Sequence, residues 1–124
     1  HDAHRFRARA GVMSVRTQAW LWAAQRASAM VLGLCVLVHL VTLVYAVRGG
    51  LSAAEILERT RGSIAWSTFY GVFVLAVAVH APIGLRTILD EWLGLRPGVR
   101  DAIAAATAVV LALLGWRAVW AVVA

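Results

Sequence analysis

The chain is 124 residues long, 62% hydrophobic and only 15% charged, with a mean hydropathy of +0.80. Soluble domains run about 45–50% apolar and about 25% charged, so a water-soluble globule is excluded and an all-α membrane protein is expected. Twelve arginines, no lysine and six acids leave a formal charge of +6. The arginines lie between apolar runs rather than on a soluble surface, which reads as membrane topology and not as a nucleic-acid site. The one cysteine, Cys35, sits inside an apolar run, so the chain by itself forms no disulfide and no cysteine-ligated zinc or iron–sulfur centre.

Residues 1–18 read as a basic amino-terminal segment carrying Arg5, Arg7, Arg9 and Arg16, and residues 19–124 as a three-span membrane domain. The first span covers about residues 19–47 and is broken only by Gln25, Arg26, Ser28, His39 and Thr42. At about 1.5 Å per residue it crosses a hydrocarbon core of roughly 30 Å with residues to spare. Its apolar run far exceeds the roughly 7–15 residues of a cleavable signal, which makes it a retained helix. Gly49-Gly50 stops it, and Ser52 followed by Glu55 is a capping-box pattern that predicts a short helix over residues 52–60 outside the membrane. The second span covers about residues 64–88. The third, about 102–124, follows a turn at Leu95-Arg96-Pro97-Gly98.

Positive-inside counting sets Arg5, Arg7, Arg9, Arg16, Arg86, Arg96 and Arg100 against Arg48, Arg59 and Arg61, the latter diluted by Glu55 and Glu58. The amino terminus and second connection are therefore expected in the cytoplasm and the carboxyl terminus outside an inner (cytoplasmic) membrane. The six tryptophans, with Tyr45 and Tyr70, are expected in aromatic belts at the two membrane faces.

Ionisable residues at depth carry the chemical information, because each is costly unless it meets protein, water or a cofactor. Arg26 either snorkels to the interface or joins Gln25 and Ser28 in a polar cluster suited to a quinone head group, with Trp22 one turn earlier on the same face. His39 and His80 are candidates for haem ligation, proton relay or hydrogen bonding to a neighbouring helix. Gly33, Ala76, Ala78, Ala81 and Gly84 leave room for a porphyrin face. The depths of the two histidines differ by more than about 10 Å when counted along the spans. They therefore do not clamp one iron between them, and three helices are too few to enclose a porphyrin. Both points predict a partner subunit. Pro82, two residues after His80, removes a backbone hydrogen bond and is expected to kink the helix there.

His80-Ala81-Pro82-Ile83-Gly84-Leu85-Arg86, with Asp90 following, resembles the His-x-x-x-Gly-x-Arg signature of the cytochrome b anchor subunit of succinate dehydrogenases and fumarate reductases. Gln25-Arg26-Ala27-Ser28-Ala29 is similar to that family's His-Arg-x-Ser-Gly motif, with Gln for His and Ala for Gly. The likeness covers about residues 20–124. It implies a membrane anchor and electron-transfer subunit of a respiratory complex that oxidises succinate, a step of the tricarboxylic acid cycle, or reduces fumarate. The implied partners are a second transmembrane anchor, an iron–sulfur subunit and a flavoprotein. FAD, the iron–sulfur clusters and the dicarboxylate site would lie on those partners, and no catalytic residue on this chain.

By the same resemblance, haem b is ligated by His80, with Gly84 and Arg86 beside it and Arg86 near the propionates. Ubiquinone or menaquinone binds at Arg26. The family's quinone-pocket serine is here Trp22, so Ser28 or Gln25 is expected to supply that polar wall, and the histidine after the motif arginine is here Thr87. His39 resembles the first-span ligand of two-haem members, which implies a second haem nearer the outer face. Two competing readings are a cytochrome b subunit of another quinone-linked dehydrogenase or a hydrogenase, and a haem-free structural subunit whose histidines only bond neighbouring helices.

Overall fold

The computed structural model describes residues 14–124, so Arg5, Arg7 and Arg9 lie outside the described residues. Four helices follow in order: α1 (Val15–Arg48), α2 (Ala53–Thr60), α3 (Ile64–Glu91) and α4 (Pro97–Val123). Three of them, α1, α3 and α4, are long and apolar enough to cross a membrane, in agreement with the all-α, three-span expectation.

The helix ends follow local chemistry. α1 begins at Val15, earlier than the first apolar residue suggests, because Ser14 Oγ accepts a hydrogen bond from the Thr17 amide at 3.2 Å. It ends as the glycine pair requires. Gly50 takes a φ of +64°, and the amides of Gly50 and Leu51 donate back to Val47 O at 3.2 Å and Ala46 O at 3.0 Å, a Schellman closure that satisfies the last carbonyls. Ser52 caps α2 through the Glu55 amide at 3.2 Å, as its capping-box pattern indicated. α3 runs unbroken through Pro82 as far as Glu91, past the expected end of the span. α4 begins at Pro97 rather than near residue 102, since a proline at the first helical position loses no needed hydrogen bond and presets φ.

α3 lies between α1 and α4, which barely touch each other. The chain alternates direction, so the start of α1, the end of α3 and the start of α4 share one end of the bundle. α2 sits at the other end, where Thr60 Oγ1 donates to Val122 O at 2.8 Å and the Gly62 amide to Val123 O at 2.8 Å. These bonds satisfy carbonyls at the carboxyl end of α4 that have no partner within the helix. The buried core is slight, comprising Cys35, Ala76, Leu89, Ala104 and Val119, while Leu34, Leu37, Leu75 and Leu113 stand exposed. Such faces suit lipid tails or further helices. Five of the tryptophans are exposed toward the ends of the spans, as belts require. Trp66 is only half-exposed and stacks on Tyr70 at 5.7 Å between ring centroids.

Two contacts hold α4 to α3. At Gly115 a Cβ would fall 2.6 Å from Val74 Cγ1, so the absent side chain lets the two helices approach. At the other end a ladder of charge crosses between them: Arg86 Nε to Asp101 Oδ1 at 2.8 Å, Arg100 Nε to the same oxygen at 3.0 Å, and Arg100 Nη1 to Asp90 Oδ1 at 3.0 Å. The Arg100 side chain is 9% exposed while both aspartates are more than half exposed. The buried guanidinium thus depends on carboxylates that still reach water.

Gly115→Val should lower the thermal midpoint of the assembled protein in detergent by overpacking worth about 1–3 kcal/mol, and Val74→Ala in the same chain should recover part of the loss. Asp101→Asn should cost about 1–3 kcal/mol by removing the negative charge that two guanidiniums share, and should do so less at high salt than at low. Thermal unfolding followed by circular dichroism reads both effects.

Candidate functional site

His80 lies in the half of α3 nearest the shared end, between the buried residues Ala76 and Pro82. Across from it on α1 is Ser28, 7% exposed. A serine within a helix readily turns its hydroxyl back to the preceding turn, and Ser28 Oγ donates to Gln25 O at 3.1 Å while lying 3.5 Å from His80 Nδ1. One turn beyond His80, a Cβ on Gly84 would stand 3.3 Å from Gln25 Nε2, so glycine at that position lets the carboxamide lie against the α3 backbone. Gln25 Oε1 is buried without a hydrogen-bond partner among the described residues. Beside Ser28 runs a groove of about 340 Å³, lined by Ala24, Ala27 and Val31 of α1 and Val72, Ala76 and Val79 of α3.

The polar cluster of the first span divides between two sides of α1. Arg26 is exposed and places its guanidinium carbon 5.5 Å from the centre of the Trp22 ring, a cation–π contact between residues one helical turn apart. Ser28 follows Arg26 by two positions, about 200° around the helix, and faces α3 instead. Gln25 lies between these directions. With Trp22, Arg86 and Thr87 it lines a groove of about 280 Å³ near the shared end. The structure therefore groups Gln25 with Trp22, and Ser28 with His80. Arg26 is directed away from α3, toward whatever covers the outer side of α1. Arg86 is held at the rim by its bond to Asp101.

A second level lies toward the opposite end. His39 Nδ1 is 3.5 Å from Tyr70 OH, and the ring makes edge contacts with Tyr70 and Phe73 at 5.8 and 5.7 Å between centroids. Its carbonyl accepts from Thr42 Oγ1 at 2.8 Å. His39 borders a cavity of about 500 Å³ whose other walls come from α3 and α4, including Val77, Leu111 and Gly115. Tyr70 is thus a partner of His39 and not solely a belt residue. Ser28 and His39 are eleven residues apart on α1, and His80 and Tyr70 ten apart on α3, so the two imidazoles stand on levels separated by about 15 Å. The depth difference expected from the sequence is present. Among the described residues, no three His, Cys, Asp or Glu side chains converge as a metal site, and each imidazole stands as a single donor on its level.

Neither Tyr70 as a neighbour of His39 nor Ser28 as a neighbour of His80 was anticipated. The signal for both was the near-equal spacing of Ser28–His39 and Tyr70–His80, which in antiparallel helices brings each hydroxyl level with an imidazole.

Comparison with known proteins agrees with this architecture. No curated protein and no solved structure matches the chain. The family model described as succinate dehydrogenase/fumarate reductase transmembrane subunit matches residues 3–120. That match takes in α1 and α3 and reaches residue 120 of α4, and the chain belongs to the family of succinate dehydrogenase/fumarate reductase transmembrane subunits.

Proposed function

We propose that this chain is the haem- and quinone-binding membrane anchor of a succinate:quinone oxidoreductase, with His80 as ligand to a b-type haem nearer the cytoplasmic face. The observation that carries this reading is the setting of His80, an imidazole within a span whose Nδ1 lies 3.5 Å from a buried serine of the neighbouring helix, in a chain of this family. The residues fit the group. A porphyrin needs a nitrogen donor, apolar walls and a cation at the rim for its propionates, and Arg86 is the cation nearest in sequence to His80 on α3. When bound, haem supplies a one-electron carrier. The chain's part is to hold it through His80, shield it from water and anchor the rim charge.

His39 would hold a second haem on the outer level, shared with a second anchor chain. The quinone is reduced near Arg26 and Trp22, with electrons from the iron–sulfur and flavoprotein subunits. Arg26 donates to a quinone oxygen as negative charge develops on it. Gln25, which shares a groove with Trp22, forms the wall of this site on the side of α3. Ser28 is not part of this pocket, because its hydroxyl faces His80. The amino terminus is cytoplasmic and the carboxyl terminus lies outside the inner membrane, following the arginine distribution.

A reduced-minus-oxidised spectrum of the purified complex should contain b-type absorption resolving into two potentiometric components. His80→Ala should remove one and His39→Ala the other. An assembled complex without b-type absorption, or with absorption indifferent to both variants, refutes haem ligation by this chain. Arg26→Ala removes a charge-assisted bond worth about 1.5–3 kcal/mol, and should slow quinone reduction by roughly tenfold or more while electron transfer from succinate to a soluble dye stays intact. Equal loss of both activities would assign Arg26 to assembly instead.

A further inference from the structure

We infer that Ser28 is a positioning residue for His80, locking the imidazole in the tautomer whose Nε2 carries the lone pair. The inference rests on the proposed role of His80 as a haem ligand and adds to it the residue that prepares that ligand. Ser28 has one hydroxyl proton and two acceptor lone pairs. Its bond to Gln25 O is the shorter of its two polar contacts, 3.1 Å against 3.5 Å to His80 Nδ1, and takes the proton. With its proton on Gln25 O, Ser28 Oγ faces Nδ1 only as an acceptor, so the hydrogen bond available at this approach is one that Nδ1 donates. A neutral imidazole protonated on Nδ1 presents Nε2 as its bare nitrogen, and only a bare nitrogen coordinates a metal. Ser28 is buried at 7% exposure, so water does not readily replace it in this role.

The outer level has no such lock. Tyr70 OH has no hydrogen bond to a second acceptor among the described residues. It can donate to His39 Nδ1 or accept from it, so the tautomer of His39 stays open. The two imidazoles thus differ in preparation although each has a hydroxyl at the same distance. A ligating histidine that donates through its second nitrogen is a stronger donor to the metal, which favours the oxidised, more highly charged iron. Removing Ser28 Oγ should therefore raise the reduction potential of the haem at His80 and leave that of any haem at His39 unchanged.

The test is a potentiometric titration of the purified complex, following haem absorption and the low-spin electron paramagnetic resonance signal, in wild type, Ser28→Ala, Ser28→Thr and Ser28→Val. Ser28→Ala should raise the reduced-to-oxidised ratio of the His80 component at fixed ambient potential by about threefold, roughly 30 mV for a one-electron couple, and shift its resonance. Ser28→Thr keeps a hydroxyl that bonds the same carbonyl and should titrate as wild type. Ser28→Val, nearly isosteric with Thr, should behave as Ser28→Ala, and the Thr/Val pair carries the comparison if alanine impairs assembly. A His80 component with the wild-type potential and resonance in both Ala and Val variants overturns the inference while leaving His80 as ligand. A wild-type complex whose haem is absent, or is untouched by His80→Ala, overturns both.

Discussion

A polar group placed in hydrocarbon must be met by another polar group, and in this chain α3 is the helix that makes those meetings possible. His39 on α1 reaches Tyr70 on α3, and Ser28 on α1 reaches His80 on α3. Arg100 and Asp101 on α4 meet Asp90 and Arg86 on α3. Each unmet group would cost several kcal/mol at depth. The central position of α3 is therefore tied to where its polar residues fall, near its start, at mid-length and at its end, with apolar turns between.

That arrangement explains why so little of the molecule is buried. Long helices that are apolar on every side have no hydrophobic reason to prefer one another over lipid, so close approach and polar bonds select their contacts. Gly115 against Val74 supplies the close approach, and the Arg86–Asp101–Arg100–Asp90 ladder supplies the polar bond at the other end of α4. α1 has neither device toward α4, which it barely touches, and among the long helices packs mainly on α3. Its remaining surface, with Arg26 and Trp22 on it, is open to lipid and to the other anchor chain that the proposed function requires.

The levels of the two histidines bear on mechanism in the same way. A separation of about 15 Å along antiparallel helices gives each imidazole its own neighbours: a buried serine for His80, aromatic rings and a cavity for His39. In the proposed reading these are two cofactor environments with different walls, so their potentials need not agree. Gln25 lines the groove it shares with Trp22, and its backbone carbonyl accepts the hydrogen bond from Ser28 Oγ. One turn of α1 thus contributes to both that groove and the surroundings of His80.

Much of this was legible in the sequence because it depends on local chemistry. Ser52 caps α2 wherever the chain goes afterwards, and Gly49-Gly50 ends α1 by its own backbone freedom, whereas the earlier starts of α1 after Ser14 and of α4 at Pro97 were not read from the chain. Hydropathy determined three spans, and residue spacing along them determined that His39 and His80 stand at different depths. The direction in which each polar residue faces was decided only by packing. Gln25, Arg26 and Ser28 look like one cluster in the chain, yet about 100° of turn per residue sends Arg26 to the outside and Ser28 to His80. Tyr70 resembles a belt residue until α1 lies beside it. Arg86 is expected near haem propionates from the chain alone, and α4 brings Asp101 within 2.8 Å of it. Sequence alone determined which residues are costly in a membrane and at what depth; the tertiary structure decided which of them meet, because that depends on helix rotation and neighbours that no local spacing encodes.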